Sequence, residues 1–367
     1  MATPSPAIFF GIASHYSLSE IVSYSFPLIR HSSAILPVLV TSEIEPRPVW
    51  HPLRFRDRVC DKCLNIDTTP LRPVSGLTKE VSHMDINTQT QLCGVLGNPV
   101  EHSLSPAIHN AAFQHLALNF VYLAFPVKQV KDAVQGIRAL GNLRGFSVTI
   151  PHKISTMEYL DVIDPTAKHI GAINTIVKTD STLTGYNTDA SGALQALRQA
   201  QTPLADSRVL IVGSGGAARA IAFGLVLHEP IAGLTILGIM DEERVNLAAD
   251  LRKGTTVTIE EAHLNESTLK PAIAQAQILI HCTPLGMSPK VDETCVPRTL
   301  LAPHLTVMDI VYNPGETRLL REAREKGCST IPGLEMFLYQ AAAQFELWTG
   351  RPAPTDIMRT IVETQFS

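Results

Sequence analysis

The 367-residue chain has little charge, few aromatic residues and almost no bias of sign. Charged residues make up 17% and aromatic residues 6%, and the formal net charge is −4. That balance is too weak to argue for a nucleic-acid or membrane-surface partner. No apolar run approaches the roughly 20 residues needed to span a bilayer. The opening stretch, MATPSPAIFFGIASHYS, lacks the basic start and long apolar segment of a secretory leader. The cysteines are Cys60, Cys63, Cys93, Cys282, Cys295 and Cys328, and their spacing suggests no disulfide framework. A reducing cytoplasm is therefore the expected compartment. Cys60 and Cys63 invite a zinc reading, but two ligands do not make a site unless Cys93 or His83 joins them. No metal is expected. The 13 histidines form no tract, and the chain shows no internal repeat.

What is present is a globular composition, 45% apolar, in a chain long enough for two modest domains. Residues 1–90 differ from the rest. Nine prolines, at 4, 6, 27, 37, 46, 48, 52, 70 and 73, leave only short apolar runs, with one strand candidate at Ala34–Thr41. This segment is expected to be a weakly structured appendage. From Gln91 strands and helices alternate. Strands are expected at Leu92–Val95, Phe120–Phe125 and Gly145–Ile150. Helices are expected at Pro106–Leu116, with Ser105 as cap, at Val127–Leu140 and after Pro151. Such alternation implies an α/β fold with a parallel sheet and helices on its faces.

The second half opens on Arg208–Val212, an apolar strand that runs into Gly213-Ser214-Gly215-Gly216-Ala217-Ala218 and an apolar helix to about Leu227. Further strands are expected at Leu234–Leu237, Ile278–Cys282 and Val307–Ile310, and a last helix at Leu334–Trp348, with a domain boundary near 190–205. Gly213, Gly215 and Ala218 satisfy the G-x-G-x-x-G/A fingerprint of a dinucleotide turn. The first glycine permits the turn, the second lets the backbone approach a pyrophosphate, and the small third residue lets helix and strand pack. An ordinary glycine turn is the bland alternative. Position between an apolar strand and a helix favours the nucleotide. After the next strand comes Gly238-Ile239-Met240-Asp241-Glu242-Glu243-Arg244. Asp241 could serve a ribose, as an NAD site requires, while Arg244 falls a turn late for a 2′-phosphate. Equally, residues 241–243 could be acids favoured by the start of the next helix.

Three segments place polar residues in apolar surroundings. Ser103 and Ser105, two residues apart in a loop, can both donate to one carboxylate, though capping alone would explain Ser105. Ser147-Val148-Thr149-Ile150-Pro151-His152-Lys153 carries an ammonium to the carboxyl edge of a sheet, where open α/β sheets bind ligands. A solvated surface lysine is the plainer reading. Asn174 offers donor and acceptor to a diol, and Asp189 could act there or cap a helix at 191–199.

Together the segments GNPVEHSLSPAIHN, GFSVTIPHK, IGAINTIV, GYNTDASG, VLIVGSGGAARA, TPLGM, DIVYNP and GLEMFLYQAAAQFELWTG resemble the shikimate/quinate dehydrogenase family, in family order over roughly residues 92–352. Ser147, where many members carry Asn, looks like the version found in arom polypeptides. The resemblance implies an α/β substrate-binding domain (91–195 plus 334–367) and a Rossmann-type NAD(P)-binding domain (196–333), with a cleft between them. It implies that Lys153 and Asp189 form the catalytic pair and that Ser103 and Ser105 hold the substrate carboxylate. Thr149, Asn174, Tyr312 and Gln340 would line the ring-hydroxyl side. Gly213, Gly215, Gly216, Ala217, Asp241, Thr283 and Gly333 would serve the cofactor. The helix carrying Gln340 would return to the substrate domain. The partner is a small molecule, shikimate, quinate or the 3-dehydro acid, with NAD or NADP as cofactor. NADP is the family default, and the local sequence leans toward NAD. The family often shows Asn-Arg-Thr where Gly238, Ile239 and Met240 stand, and Asn where His281 precedes Cys282 and Thr283. PLIRHSSAILPVLVTS faintly resembles a segment of type I dehydroquinate dehydratase, which suggests a remnant of that domain. Two rivals share the motifs. One is a non-catalytic sensor of these acids, against which Lys153 and Asp189 argue. The other is a dehydrogenase of a modified ring acid, such as an amino analogue.

Overall fold

A computed structural model describes residues 85–366. The proline-rich appendage up to residue 84, its strand candidate, the possible dehydratase remnant and the Cys60–Cys63 pair lie outside the described residues.

The chain first builds β1 (Gln91–Gly97), α1 (Ser105–His115), β2 (Phe120–Pro126), α2 (Val130–Ala139), β3 (Leu143–Val148), β4 (Val162–Ile163), α3 (Pro165–Ile170), β5 (Thr175–Thr179), β6 (Thr182–Tyr186) and α4 (Thr188–Gln199). It continues through β7 (Arg208–Val212), α5 (Gly216–His228), β8 (Gly233–Gly238), α6 (Asp241–Gly254), β9 (Thr258–His263), α7 (Glu266–Gln275) and β10 (Ile278–His281). Then come β11 (Thr306–Asp309), α8 (Arg318–Glu325), β12 (Ser329–Pro332), α9 (Gly333–Thr349) and α10 (Thr355–Phe366). Two six-stranded sheets result, ordered β2-β1-β3-β5-β6-β4 and β12-β11-β10-β7-β8-β9.

The second sheet is parallel throughout. Its central strands are buried on both faces, which is why Val209–Val212 reads as an unbroken apolar run. The first sheet is mixed, which corrects the expected parallel sheet. β5 runs antiparallel to both β3 and β6. The β5–β6 connection leaves only Asp180 and Ser181 between paired Thr179 and Thr182, and Asp180 sits at φ +54°. Two residues can close a hairpin but not a parallel crossover, which needs a dozen or more.

Four local expectations also change. Ser105 is already the first residue of α1, Leu104 occupies the cap position, and no side chain caps the helix. Pro106 in the first turn favours helical backbone directly. After Pro151 the chain forms a short 3₁₀ turn at Ser155–Tyr159, not an α-helix. Asn187 caps α4, accepting from the Asp189 and Ala190 amides, so the Asp189 carboxylate is free for other partners. The helix expected to be last is followed by α10, whose Met358 and Val362 join the core against α1.

α9 starts where β12 of the second sheet ends. It buries Leu338, Ala341, Phe345 and Trp348 beside Ile108, Phe113 and Tyr122 of the first sheet's half. Burying a leucine or phenylalanine of this set stabilises by about 1.5–3 kcal/mol. The Trp348 indole donates to the Ile176 carbonyl at 3.0 Å, which fixes α9 against β5. α9 also crosses α4 closely: a Cβ added at Gly192 would lie 2.7 Å from the Gln340 amide nitrogen. Among the described residues no helix is long and apolar enough to cross a membrane.

Candidate active site

A cavity of about 350 Å³ opens where the loops after β1, β3 and β11 meet the first turns of α4 and α9. Its wall includes Ser103, Ser105, Thr149, Lys153, Asn174, Asp189, Tyr312 and Gln340, the eight residues the sequence suggested for catalysis and substrate. Ile310, Gly333 and Phe337 close the side nearer the second sheet.

Lys153 leaves the carboxyl end of β3 just past Pro151. Its Nζ donates to Asp189 Oδ2 at 2.6 Å, joining groups 36 residues apart. The pair is partly shielded, with side-chain exposures of 25% and 11%. Asp189 stands in the first turn of α4, where the helix dipole favours a carboxylate. Its second oxygen accepts from Asn174 Nδ2 at 2.8 Å. The same amide nitrogen donates to Thr188 Oγ1, while Asn174 Oδ1 accepts from the Thr188 amide and the Thr175 hydroxyl. All four hydrogen-bonding positions of the Asn174 amide are thus engaged within the protein. A substrate diol would meet Asn174 by displacing one of these bonds.

Behind Asn174 the network continues through residues that sequence reasoning did not single out. Gln344 of α9 donates from Nε2 to Thr175 Oγ1 at 3.0 Å and to the Asn174 carbonyl. Its Oε1 accepts from Ser147 Oγ at 2.7 Å, and Ser147 in turn accepts from the Tyr122 phenol at 2.7 Å. Gln344 and Tyr122 lie in a helix and a strand of ordinary apolar pattern, so nothing local marked them. Ser147, noted as a departure from Asn, is the one hint. Burial pushes the Tyr122 phenol well up, which keeps it a neutral donor.

Ser103 Oγ accepts from the Ser105 amide at 3.3 Å, which draws the two hydroxyls to one stretch of cavity wall. Tyr312 stacks on Phe337 with ring centroids 4.8 Å apart, and burial raises its phenol pKa. Gln340 Nε2 donates to the Phe337 carbonyl of its own helix, so its amide oxygen is the more available end.

The residues expected to serve the cofactor form a second constellation along the carboxyl edge of the second sheet. Apart from Gly333, they do not line the cavity. Gly213 follows β7 at φ +121°, a conformation that strains any residue with a Cβ. An added Cβ would also meet the Cys282 carbonyl oxygen at 2.8 Å. Gly215 is the cap of α5, with no side chain capping its amides. Space is open where side chains at Gly215 and Gly216 would project. Ala217 follows in the first turn, and Ala218 is fully buried against the sheet. Bare helix-start amides beside open space fit a pyrophosphate.

Asp241 opens α6 beyond the end of β8 and is largely exposed. It bonds Arg244 and His263, and the Arg244 guanidinium holds its carboxyl below the usual carboxylate range, with His263 adding to the effect. Arg244 is buried between Asp241, Glu261 and the Gly238 carbonyl. Thr283 lies two residues beyond β10, and its hydroxyl touches His281. No group of three or more metal-ligating side chains occurs among the described residues.

A parallel sheet ending in a bare glycine turn, beside a polar cavity with a lysine–carboxylate pair, defines a dinucleotide-dependent oxidoreductase. Residues 95–176 match the shikimate dehydrogenase substrate binding domain, and residues 333–363 match the Shikimate 5'-dehydrogenase C-terminal domain. A shikimate dehydrogenase (NADP(+)) of Desulforamulus reducens is 43% identical over 292 residues, 78% of this chain and 99% of the relative. This chain belongs to the shikimate dehydrogenase family. The crystal structure of shikimate 5-dehydrogenase from Listeria monocytogenes, in complex with shikimate and NAD, superposes with a TM-score of 0.72. It shares 38% identity and covers 76% of this chain and 98% of that one. Quinate dehydrogenase from Corynebacterium glutamicum in complex with NAD gives a TM-score of 0.70 at 28% identity, covering 75% and 99%.

Proposed function

We propose that this chain interconverts shikimate, or its relative quinate, with the corresponding 3-dehydro acid, using NAD or NADP. The Lys153–Asp189 contact at the cavity wall is the observation that carries this reading. Ser103 and Ser105 donate their hydroxyls to the substrate carboxylate and so fix the ring. Thr149, Tyr312 and Gln340 meet the ring hydroxyls, and Asn174 serves the substrate mainly by orienting Asp189. When bound, the dinucleotide supplies the hydride acceptor or donor at its nicotinamide ring. Lys153 Nζ takes the proton of the reacting hydroxyl as that carbon loses its hydride, which leaves a carbonyl. In the opposite direction the Lys153 ammonium returns the proton to the carbonyl oxygen. Asp189 holds the lysine in line and keeps the ammonium compensated. A base so positioned contributes about 10²–10⁴-fold.

Gly213, Gly215, Gly216 and Ala217 receive the pyrophosphate. Asp241 is exposed at the end of β8 and suits a ribose, while Arg244 is already bound by two carboxylates; both features support NAD. The NADP(+) in the relatives' names supports the other cofactor. Residues 91–195 with 334–367 would form the substrate-binding domain, and 196–333 the cofactor domain. Four free cysteines among the described residues suit the cytoplasm.

The test is a turnover assay with shikimate and quinate, each with NAD and NADP, following the reduced nicotinamide by absorbance. Turnover with at least one pair is expected. Binding of the acids without turnover would replace this reading with a sensor, and turnover only of a modified ring acid would shift the substrate.

A further inference from the structure

The second sheet's carboxyl edge holds a buried polar cluster that the mechanism above does not use. His281, at the end of β10, is 1% exposed, and its Nδ1 lies 2.9 Å from Asp309 Oδ1. Asp309, at the end of β11, is fully buried. It also accepts from the Val311 amide at 3.1 Å and from the Thr317 hydroxyl at 2.6 Å. His281 Nε2 touches the hydroxyl of Thr283, which also accepts from the Leu285 amide at 3.3 Å. Thr283 itself is partly exposed.

Strand order gives this cluster its position. In the sequence β12-β11-β10-β7-β8-β9, β10 stands between β7, which ends in the glycine turn, and β11, which leads to the cavity residues Ile310 and Tyr312. Cys282 packs against Gly213 itself. A dinucleotide with its pyrophosphate on α5 and its redox ring toward Lys153 must pass over the end of β10, and so over Thr283. This step rests on the function proposed above.

We propose that His281 is a positioning residue that turns the Thr283 hydroxyl outward as a hydrogen-bond donor to the nicotinamide half of the dinucleotide. A threonine hydroxyl has one hydrogen and two acceptor positions. Asp309 as a carboxylate only accepts, so His281 Nδ1 carries a proton. With a neutral ring, Nε2 is an acceptor and Thr283 gives its single hydrogen inward. With a charged ring, Nε2 donates. The His281 and Leu285 N–H groups then fill both acceptor positions of Thr283, and its hydrogen has only the outward direction. The charged form also compensates a carboxylate that would otherwise be buried alone. The ionisable groups facing the ring are Asp309 from β11 and the Cys295 thiol, with Cys282 adjacent in the chain. Burial pulls the imidazole pKa down, but the bonds to Asp309 and Cys295 outweigh it and bring the value up to about 9.

Two measurements on the full chain test this. In ¹⁵N-histidine-labelled protein, the His281 ring, assigned by its loss in His281→Gln, is expected to carry protons on both nitrogens near neutral pH. A neutral ring there overturns the proposal. In fluorescence titrations with NADH and NADPH, Kd is expected to rise about three- to tenfold as the pH passes from neutral through about 9, the loss of one hydrogen bond. Thr283→Val, a change at a partly exposed site, is expected to flatten that rise. A wild-type Kd that is flat over this range, or a rise that persists in Thr283→Val, overturns the role of His281 alone. The absence of dinucleotide binding at any pH overturns the dehydrogenase reading with it.

Discussion

The two halves of the site are built from different materials. On the first sheet, the cavity wall is backed by a chain of side chains bonded to one another, from buried Tyr122 through Ser147, Gln344, Thr175, Asn174 and Asp189 to Lys153. On the second, the glycine turn is mostly bare backbone, in which Gly213 holds a conformation that strains any other residue and α5 begins without a side-chain cap. On the proposed function, the first half would position a proton-transfer group to within a fraction of an ångström, which interlocked side chains do well. The second would admit an anion at close range, where a side chain would obstruct.

The contrast predicts that damage to each half looks different. The largest effect is expected from Lys153→Ala. Turnover should fall about 10²–10⁴-fold, while NADH binding by fluorescence titration stays near wild type. Near-normal turnover in this variant would remove Lys153 from the chemistry. Next comes Gly213→Ala. A methyl group at φ +121° and 2.8 Å from the Cys282 carbonyl oxygen costs roughly 1–3 kcal/mol of backbone strain. Dinucleotide Kd should rise about tenfold or more, with isolated shikimate binding by calorimetry spared. Equal loss of both ligands would show the two halves to be one unit. The smallest effect belongs to Gln344→Ala. It leaves the buried Ser147 hydroxyl without its acceptor and Thr175 Oγ1 without a donor, at about 1–3 kcal/mol of stability in denaturant unfolding. Asn174 still holds Asp189, so turnover should fall far less than in Lys153→Ala. A collapse of activity equal to that of Lys153→Ala would mean that the whole chain of bonds, not its last link, sets the catalytic geometry.

The same contrast explains what could be read from the amino acids alone. Glycine 213, a small residue at 218 and the run Val209–Val212 are local signals, because strand, turn and helix follow one another directly. Lys153, Asp189, Ser103 and Asn174 stood out as polar residues in apolar stretches, and each lines the cavity. Gln344 did not. It bonds Ser147 across 197 positions, and on α9 it occupies an ordinary helical place. His281 was noticed only as a departure from Asn, since its partner Asp309 comes 28 residues later on the neighbouring strand. Antiparallel β5 does not show in a pattern of alternating strands and helices, because Thr175–Thr179 and Thr182–Tyr186 are two short strands closed into a hairpin by a two-residue turn at Asp180. The capping role went to Ser105 and Asp189 as plausible residue types. The backbone begins α1 one residue earlier than that reading and α4 three residues earlier, and for α4 Asn187, two positions before Asp189, is the cap.

Gly192 of α4 faces the Gln340 backbone with no room for even one carbon between them. That missing atom acts as a shim of zero thickness. It sets how deeply one helix seats on the other, and therefore how far the Gln340 and Tyr312 wall stands from Lys153. Bulk added at 192 would touch no reacting atom, yet it would pry the wall back and leave a ring-sized acid loose in a mouth too wide to grip it.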